Sequence, residues 1–294
     1  MVKNHRVYYF HQAVKYGGIR NAADMMDVAP SAVSRQITLL ENELKVSLLE
    51  KNLRGAIPTE AGKLVLQYFQ QTLEQQEDLV ASLSSLQGLD QGKLIITTGE
   101  GYLRLLSKVI ANFSAKHPNI EISVDVVGSN NVVRSIIENE AHIGIAFNPE
   151  LDPNIRTHFE INHPMMMFIN PNHPLNEADH PIQLSELTEY RLALSHISHG
   201  VQQIIQKAAD DDGIRLKPSL VCNYLHLLKS YVKDGGIALL PQFMLYHDDE
   251  NIITKALAHP YFNQTQTKIM SSLARQLPPA ANKFLQEVTK IFQL

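Results

Sequence analysis

"PSAVSRQITLLENEL", residues 30–44, decides how the first part of this chain is read. Val33, Ile37, Leu40 and Leu44 recur at spacings of three and four, which predicts a helix with one buried stripe. Pro30 suits the first turn of that helix, where its missing N–H costs nothing. The opposite face carries Ser31, Ser34, Arg35 and Thr38, short hydroxyls around a single cation. Upstream, residues 21–28 hold Ala22, Ala23, Met26 and Val28 as small or apolar packing positions and predict a short second helix. Residues 5–16 place Val7, Phe10, His11, Val14 and Tyr16 near one side of another, ended by Gly17-Gly18. Downstream, two strand-like runs flank Asn52-Leu53-Arg54-Gly55 and predict a small hairpin. Thr59 is a good N-cap for a further helix, with Glu60 near its positive end.

A turn-linked helix pair with a polar, hydroxyl-rich second helix suits the major groove of DNA. Short side chains reach base edges while the partner helix crosses the backbone. Pro30, Ser31, Ser34 and Arg35 lie at the end that enters the groove, and Thr38 comes next on the same face. Helix N-termini also attract phosphate, and Lys51 and Arg54 in the hairpin would reach adjacent phosphates or the minor groove. Charge agrees in sign: residues 1–65 hold nine Lys/Arg against six Asp/Glu, a net of +3, whereas the remainder holds 17 against 24, a net of −7. A basic head on an acidic body places any polyanion at the head. The residues alone also allow a small helical domain with an ordinary solvated face.

From residue 60 to 87 no proline interrupts a long helical pattern. Leu66, Phe69, Leu73, Val80 and Leu83 form a thin heptad seam opposite a face of Gln, Glu, Asp and Ser. Such a stripe either packs on its own domain or pairs two protomers. "QGLDQG" (87–92) breaks the helix and opens a region of strand–helix alternation. Strands are predicted at 93–98, 120–127, 142–147, 165–170, 191–195, 219–222, 236–240 and 268–273, with helices at 102–116 and 131–140 and from 201, 224 and 280. Continuous apolar runs joined by helices imply parallel sheet covered on both faces. Hydrophobic content of 44% with 19% charged residues is ordinary for a globular protein. No apolar run approaches the roughly 20 residues of a membrane span. The first residues lead into no apolar signal region, and the one cysteine, Cys222, fits a reducing compartment, so a cytoplasmic protein is expected.

Residues 7–66 resemble the winged helix-turn-helix of LysR-type transcriptional regulators. The resemblance rests on Phe10, Gly17-Gly18, Ala22-Ala23, Ser34-Arg35-Gln36-Ile37, Leu40-Glu41-Asn42-Glu43-Leu44 and Thr59-Glu60-Ala61-Gly62, in the family's order and spacing. The chain departs from that pattern at Leu48-Leu49-Glu50-Lys51, where the family has Leu-Phe-x-Arg. Lys51 keeps the charge but loses the bidentate fork. Pro58 replaces a Leu, and Ala29 stands where Ser or Thr often caps the recognition helix. More loosely, "YVKDGGIALLP" (231–241) and "NPNHPL" (170–175) resemble elements of the family's C-terminal domain. The resemblance implies an α/β protein with a DNA-binding domain over 1–59 and a dimerisation helix and hinge over 60–91. A two-lobed effector domain like a periplasmic binding protein would occupy 92–294, with one lobe at 92–161 and 267–294 and the other at 162–266. It further implies a dimer of dimers, an operator with dyad symmetry, a small-molecule effector and RNA polymerase as a further partner.

In doubly wound sheets ligands sit beyond the carboxyl ends of strands, near helix N-termini. The turns that qualify carry Thr98, Gly99 and Glu100, Ser129 and Asn130, Phe147, His196 and His199, and Cys222 and Asn223. Hydroxyls, amides and helix ends favour a carboxylate ligand. Glu100 would either pair with an amine, pointing to an amino acid such as a small dicarboxylic one, or act as a solvated helix cap. His196 and His199 are three apart, but no Cys or carboxylate joins them at metal-ligand spacing. His117, His163, His173, His180 and His259 each precede a proline in a loop. Cys222, on an apolar strand without a basic cluster nearby, reads as packing rather than redox sensing. There is no nucleophile elbow and no phosphate loop, so neither catalysis nor a cofactor is expected. The rival reading is a solute-binding module whose head only oligomerises it.

Overall fold

The computed structural model describes residues 4–50, 55–86, 91–150, 152–196 and 200–292. The chain divides into two compact units, residues 1–80 and 81–294.

The first unit is helical. α1 (Asn4–Lys15), α2 (Ile19–Met26) and α3 (Pro30–Leu44) pack around Val7, Phe10, Ala22, Ala23, Val33, Ile37 and Leu40. Gly17, with φ 68°, makes the turn from α1 to α2, and Asp27 in the left-handed region ends α2. Arg6 ties α1 to α3 by donating to Glu43 at 2.8 Å. Among the described residues, the expected hairpin shows a bridge between Leu49 and Pro58, with Glu50 N–H donating to the Ile57 carbonyl at 2.8 Å. Glu41 holds its base, its carboxylate accepting from the Leu48 amide at 2.8 Å. Pro58 removes a donor from the second run, which restricts the ladder. The segment 51–54, with Lys51 and Arg54, lies outside the described residues.

α4 (Glu60–Leu86) starts at Thr59, whose hydroxyl accepts from Gly62 N–H at 3.0 Å. Its seam divides in two. Phe69 is buried, and Leu66 and Leu73 pack against the helical core. Leu79, Val80 and Leu83 are exposed at 59%, 63% and 51%. No helix is long and apolar enough to cross a membrane among the described residues.

The second unit has two five-stranded sheets. The first runs β2 (Ile120–Val126), β1 (Gly92–Thr98), β3 (Ile143–Phe147), β10 (Gln266–Ser272), β4 (Ile155–Asn162). The second runs β7 (Leu220–Cys222), β6 (Leu192–Ser195), β8 (Ile237–Pro241), β5 (Met165–Ile169), β9 (Ile253–Ala256). Helices α5 (Leu103–Lys116), α6 (Ser129–Ile137) and α9 (Pro279–Phe292) belong to the first lobe, and α7 (Gly200–Asp211) and α8 (Leu225–Lys233) to the second. The chain passes between lobes from β4 to β5 and again from β9 to β10.

The sheets correct the all-parallel expectation. β1, β2 and β3 are parallel, as are β6, β7 and β8, but β10 is antiparallel to β3 and β4, and β5 to β8 and β9. The antiparallel strands are those that carry the chain from one lobe to the other, where no helix crossover reverses direction. β4 and β9, which no sequence signal predicts, are edge strands whose residues are mostly exposed or half-buried, so they lack the apolar run that marks a central strand. The His-Pro pairs also find a role. His173 and His259 each accept from the amide two residues on, Leu175 and Tyr261, and so cap short 3-10 turns that Pro174 and Pro260 open.

Candidate functional site

The face of α3 expected to meet nucleic acid is exposed. Val33, Ile37 and Leu40 are buried on one side, and Ser31, Ser34, Arg35 and Thr38 stand exposed together on the other, with Pro30 at the first position. Ala29, before it, makes no side-chain cap, but its carbonyl accepts from Ala32 N–H at 2.9 Å; Pro30 has no N–H, so Ser31 carries the amide left at the helix start. His5 on α1 meets Gln36 at 3.2 Å, which fixes one edge of this face. Its groups match phosphate and base edges: the Ser31 amide, hydroxyls that donate or accept, and a guanidinium.

In the second unit, the carboxyl ends of β1, β3 and β8 meet the N-termini of α7 and α8 where the lobes face each other. The cavity between them is only about 20 Å³, about one water's room. Of the residues expected at a ligand cleft, Gly99, Glu100, Ser129 and Phe147 line it. Thr98, Asn130, His196, Cys222 and Asn223 do not. The Thr98 side chain is fully buried and donates to the Gly99 carbonyl at 3.2 Å. Cys222 Sγ accepts from Tyr224 N–H at 3.3 Å on the edge strand β7. Asn223 and His196 are exposed, and Asn130 is half-buried. His199 lies outside the described residues.

Close approach of the lobes has particular causes. A Cβ on Gly200, the first residue of α7, would lie 2.2 Å from the Phe147 carbonyl oxygen, so only hydrogen fits there. Ser129 Oγ donates to that same carbonyl at 2.8 Å. Phe243, just after β8, stacks on Tyr102 at 4.8 Å and 15°, and a Cβ on Gly101 would come within 3.0 Å of its ring. The buried Tyr102 hydroxyl bonds Thr267 at 2.7 Å, and burial pushes its pKa well above the usual phenol range. At the rim, Arg104 of α5 forks onto Asp248 at 2.6 and 2.9 Å, and the guanidinium holds that carboxyl down to about 2. Behind it Lys229, buried on α8, pairs with Asp249 and donates to the Met244 carbonyl at 2.6 Å, and burial lowers its basicity.

Glu100 departs from both expected roles. Its carboxylate is buried and accepts from Leu225 N–H at 2.6 Å and His226 N–H at 3.0 Å, with His226 Nδ1 at 2.5 Å. It caps α8, a helix of the opposite lobe, whose own N-cap residue Tyr224 contributes no side-chain bond. Its oxygens are thus engaged within the chain, and the amine-pairing role lacks support. Phe243, Gly200, Leu225 and His226 carry no sequence signal of their own as site residues. The Pro241 that ends β8 is the one local feature pointing to Phe243.

Two family patterns match. Residues 5–63 match the bacterial regulatory helix-turn-helix protein of the lysR family, and residues 87–293 the LysR substrate binding domain. Among curated relatives, the RuBisCO operon transcriptional regulator of Allochromatium vinosum is 21% identical over 95% of this chain and 93% of its own length. The SDS degradation transcriptional activation protein of a Pseudomonas species is 25% identical over 93% and 91%. Among solved structures, a full-length OxyR variant from Pseudomonas aeruginosa aligns with a TM-score of 0.69 at 16% identity, over 100% of this chain and 95% of that one. Full-length CbnR complexed with its target DNA aligns with a TM-score of 0.60 at 17% identity, over 98% and 99%. Both curated relatives are named as regulators of transcription. With both patterns in register and together spanning most of its length, the chain belongs to the LysR family of transcriptional regulators.

Proposed function

We propose that α3 reads a DNA operator of dyad symmetry through Ser31, Ser34, Arg35 and Thr38, with Pro30 and the Ser31 amide of the helix start seated on a phosphate. Lys51 and Arg54 add backbone contacts. The exposed Leu79, Val80 and Leu83 of α4 pair two protomers, and two such pairs make a dimer of dimers. Residues 92–294 hold a small carboxylate effector between the lobes and, through it, respace the DNA-binding units. Coupling of this kind typically amounts to about 1–3 kcal/mol, so the effector changes geometry and transcription more than it abolishes binding. The observation that carries this reading is the joint exposure of the four α3 side chains beside an uncapped helix start.

Selection from a random duplex library tests it. The expected outcome is an enriched motif with two half-sites, centred about one helical turn or a multiple apart. Enrichment of no motif, with binding that only weakens as salt rises, would instead favour a solute-binding module with a non-specific basic head.

A further inference from the structure

Glu100 stands apart from every other acid described in the second unit. A carboxylate at 5% exposure is costly to bury unless its oxygens are satisfied. All its described partners lie in the other lobe, 125 and 126 residues away in sequence. Those partners are the first two amides of α8, where the helix dipole is positive, and the His226 ring beside them. Charge-assisted bonds of this kind are the stronger ones, and breaking them leaves donors buried without acceptors.

We propose that Glu100 is a latch that holds the two lobes closed, a side-chain carboxylate seated where α8 would accept an anion. With the latch in place, Gly200 rests against Phe147 and Phe243 against Tyr102, and the cavity stays at about 20 Å³. Opening the cleft requires Glu100 to leave α8. Resting on the reading of residues 92–294 as an effector domain, this names how a carboxylate effector acts: it takes over the Leu225 and His226 amides and releases Glu100. The Arg104–Asp248 pair at the rim is solvent-exposed and contributes little to closure by comparison.

Hydrogen exchange of the full chain, without DNA, tests the latch in Glu100→Ala and in the isosteric Glu100→Gln. Exchange at Leu225 and His226 is expected to rise at least tenfold in both. The decisive readout is the 200–204 segment, which faces Phe147 across the cleft and which loss of a merely local helix cap would not move. It is expected to exchange faster in both variants. In Glu100→Ala, added acetate fills the vacated slot and restores protection at Leu225 and His226, whereas sodium chloride at matched ionic strength does not; being untethered to the first lobe, acetate leaves 200–204 exchanging fast. Unchanged exchange at 200–204 in both variants, or acetate acting no differently from chloride, overturns the latch. Neither measurement involves an operator, so failure of the DNA-binding reading would appear in the duplex selection and not here.

Discussion

The two units carry their chemistry in opposite ways. On α3 the groups proposed to read DNA stand on the exposed face of one helix, and the buried face of the same helix holds them there. In the cleft, Glu100, Phe147, Gly200 and Phe243 come from four segments and act only because two lobes meet. The first arrangement tolerates change in its polar residues without loss of fold. The second binds function and stability into the same contacts, as Gly200 shows, where a single methyl group would collide with a backbone carbonyl.

Four measurements press on that contrast, beginning with the largest effect. Phe10 is fully buried at the centre of the helical unit. Phe10→Ala is expected to destabilise that unit by about 3–5 kcal/mol. Calorimetry should show the transition of the helical unit falling while that of the two-lobed unit stays in place, and a parallel fall of both would break the separation between them. Gly200→Ala is expected to cost about 1–3 kcal/mol by overpacking, confined to the two-lobed unit. Urea unfolding read by tyrosine fluorescence measures it, and a silent substitution would mean the lobes part freely.

Arg35→Ala should leave thermal stability within about 0.5 kcal/mol, as an exposed position does. Specific DNA affinity should fall by about 1–3 kcal/mol, while binding to random duplex changes little. Fluorescence anisotropy on selected and random duplexes separates the two. The gentlest probe is pH. His142, buried at the start of β3, is held down to about 3, chiefly by burial and then by the Arg275 and Lys93 charges. Its folded value lies below the unfolded one near 6.5. The unfolded chain therefore binds the extra proton, and stability is complete above about 6.5 and lost as pH falls toward 3. His142 alone adds a slope of about 1.4 kcal/mol per pH unit to the two-lobed unit, beside the smaller shares of His158, His163 and His173, which burial also lowers. His142→Gln should remove that share of the slope in urea titrations from pH 7 to 5, and an unchanged slope would assign the effect elsewhere.

Legibility divides along the same line. α3 and its two faces, the α4 seam and the central strands β1, β3 and β8 are readable because their signals are local: a period of 3.6, or a short apolar run between turns. β4 and β9 are not, since edge strands bury too little to leave a pattern. The α4 seam is readable as a stripe but not as two halves, because burial of Leu66, Phe69 and Leu73 depends on where α1–α3 end. Glu100 stands out in the sequence as an odd acid beside an anion site, but nothing near it names its partner.

The amino-acid order by itself determines the helix-turn-helix, its polar face, its basic balance and the alternation of strand and helix that builds the second unit. Each depends on neighbours within about one or two helical turns. Tertiary structure alone decides that β10 returns antiparallel, that Gly200 lies against the Phe147 carbonyl, and that Glu100 caps α8 from the opposite lobe. A buried carboxylate takes whichever donors the folded chain brings within hydrogen-bonding distance, and here those donors lie 125 and 126 residues away.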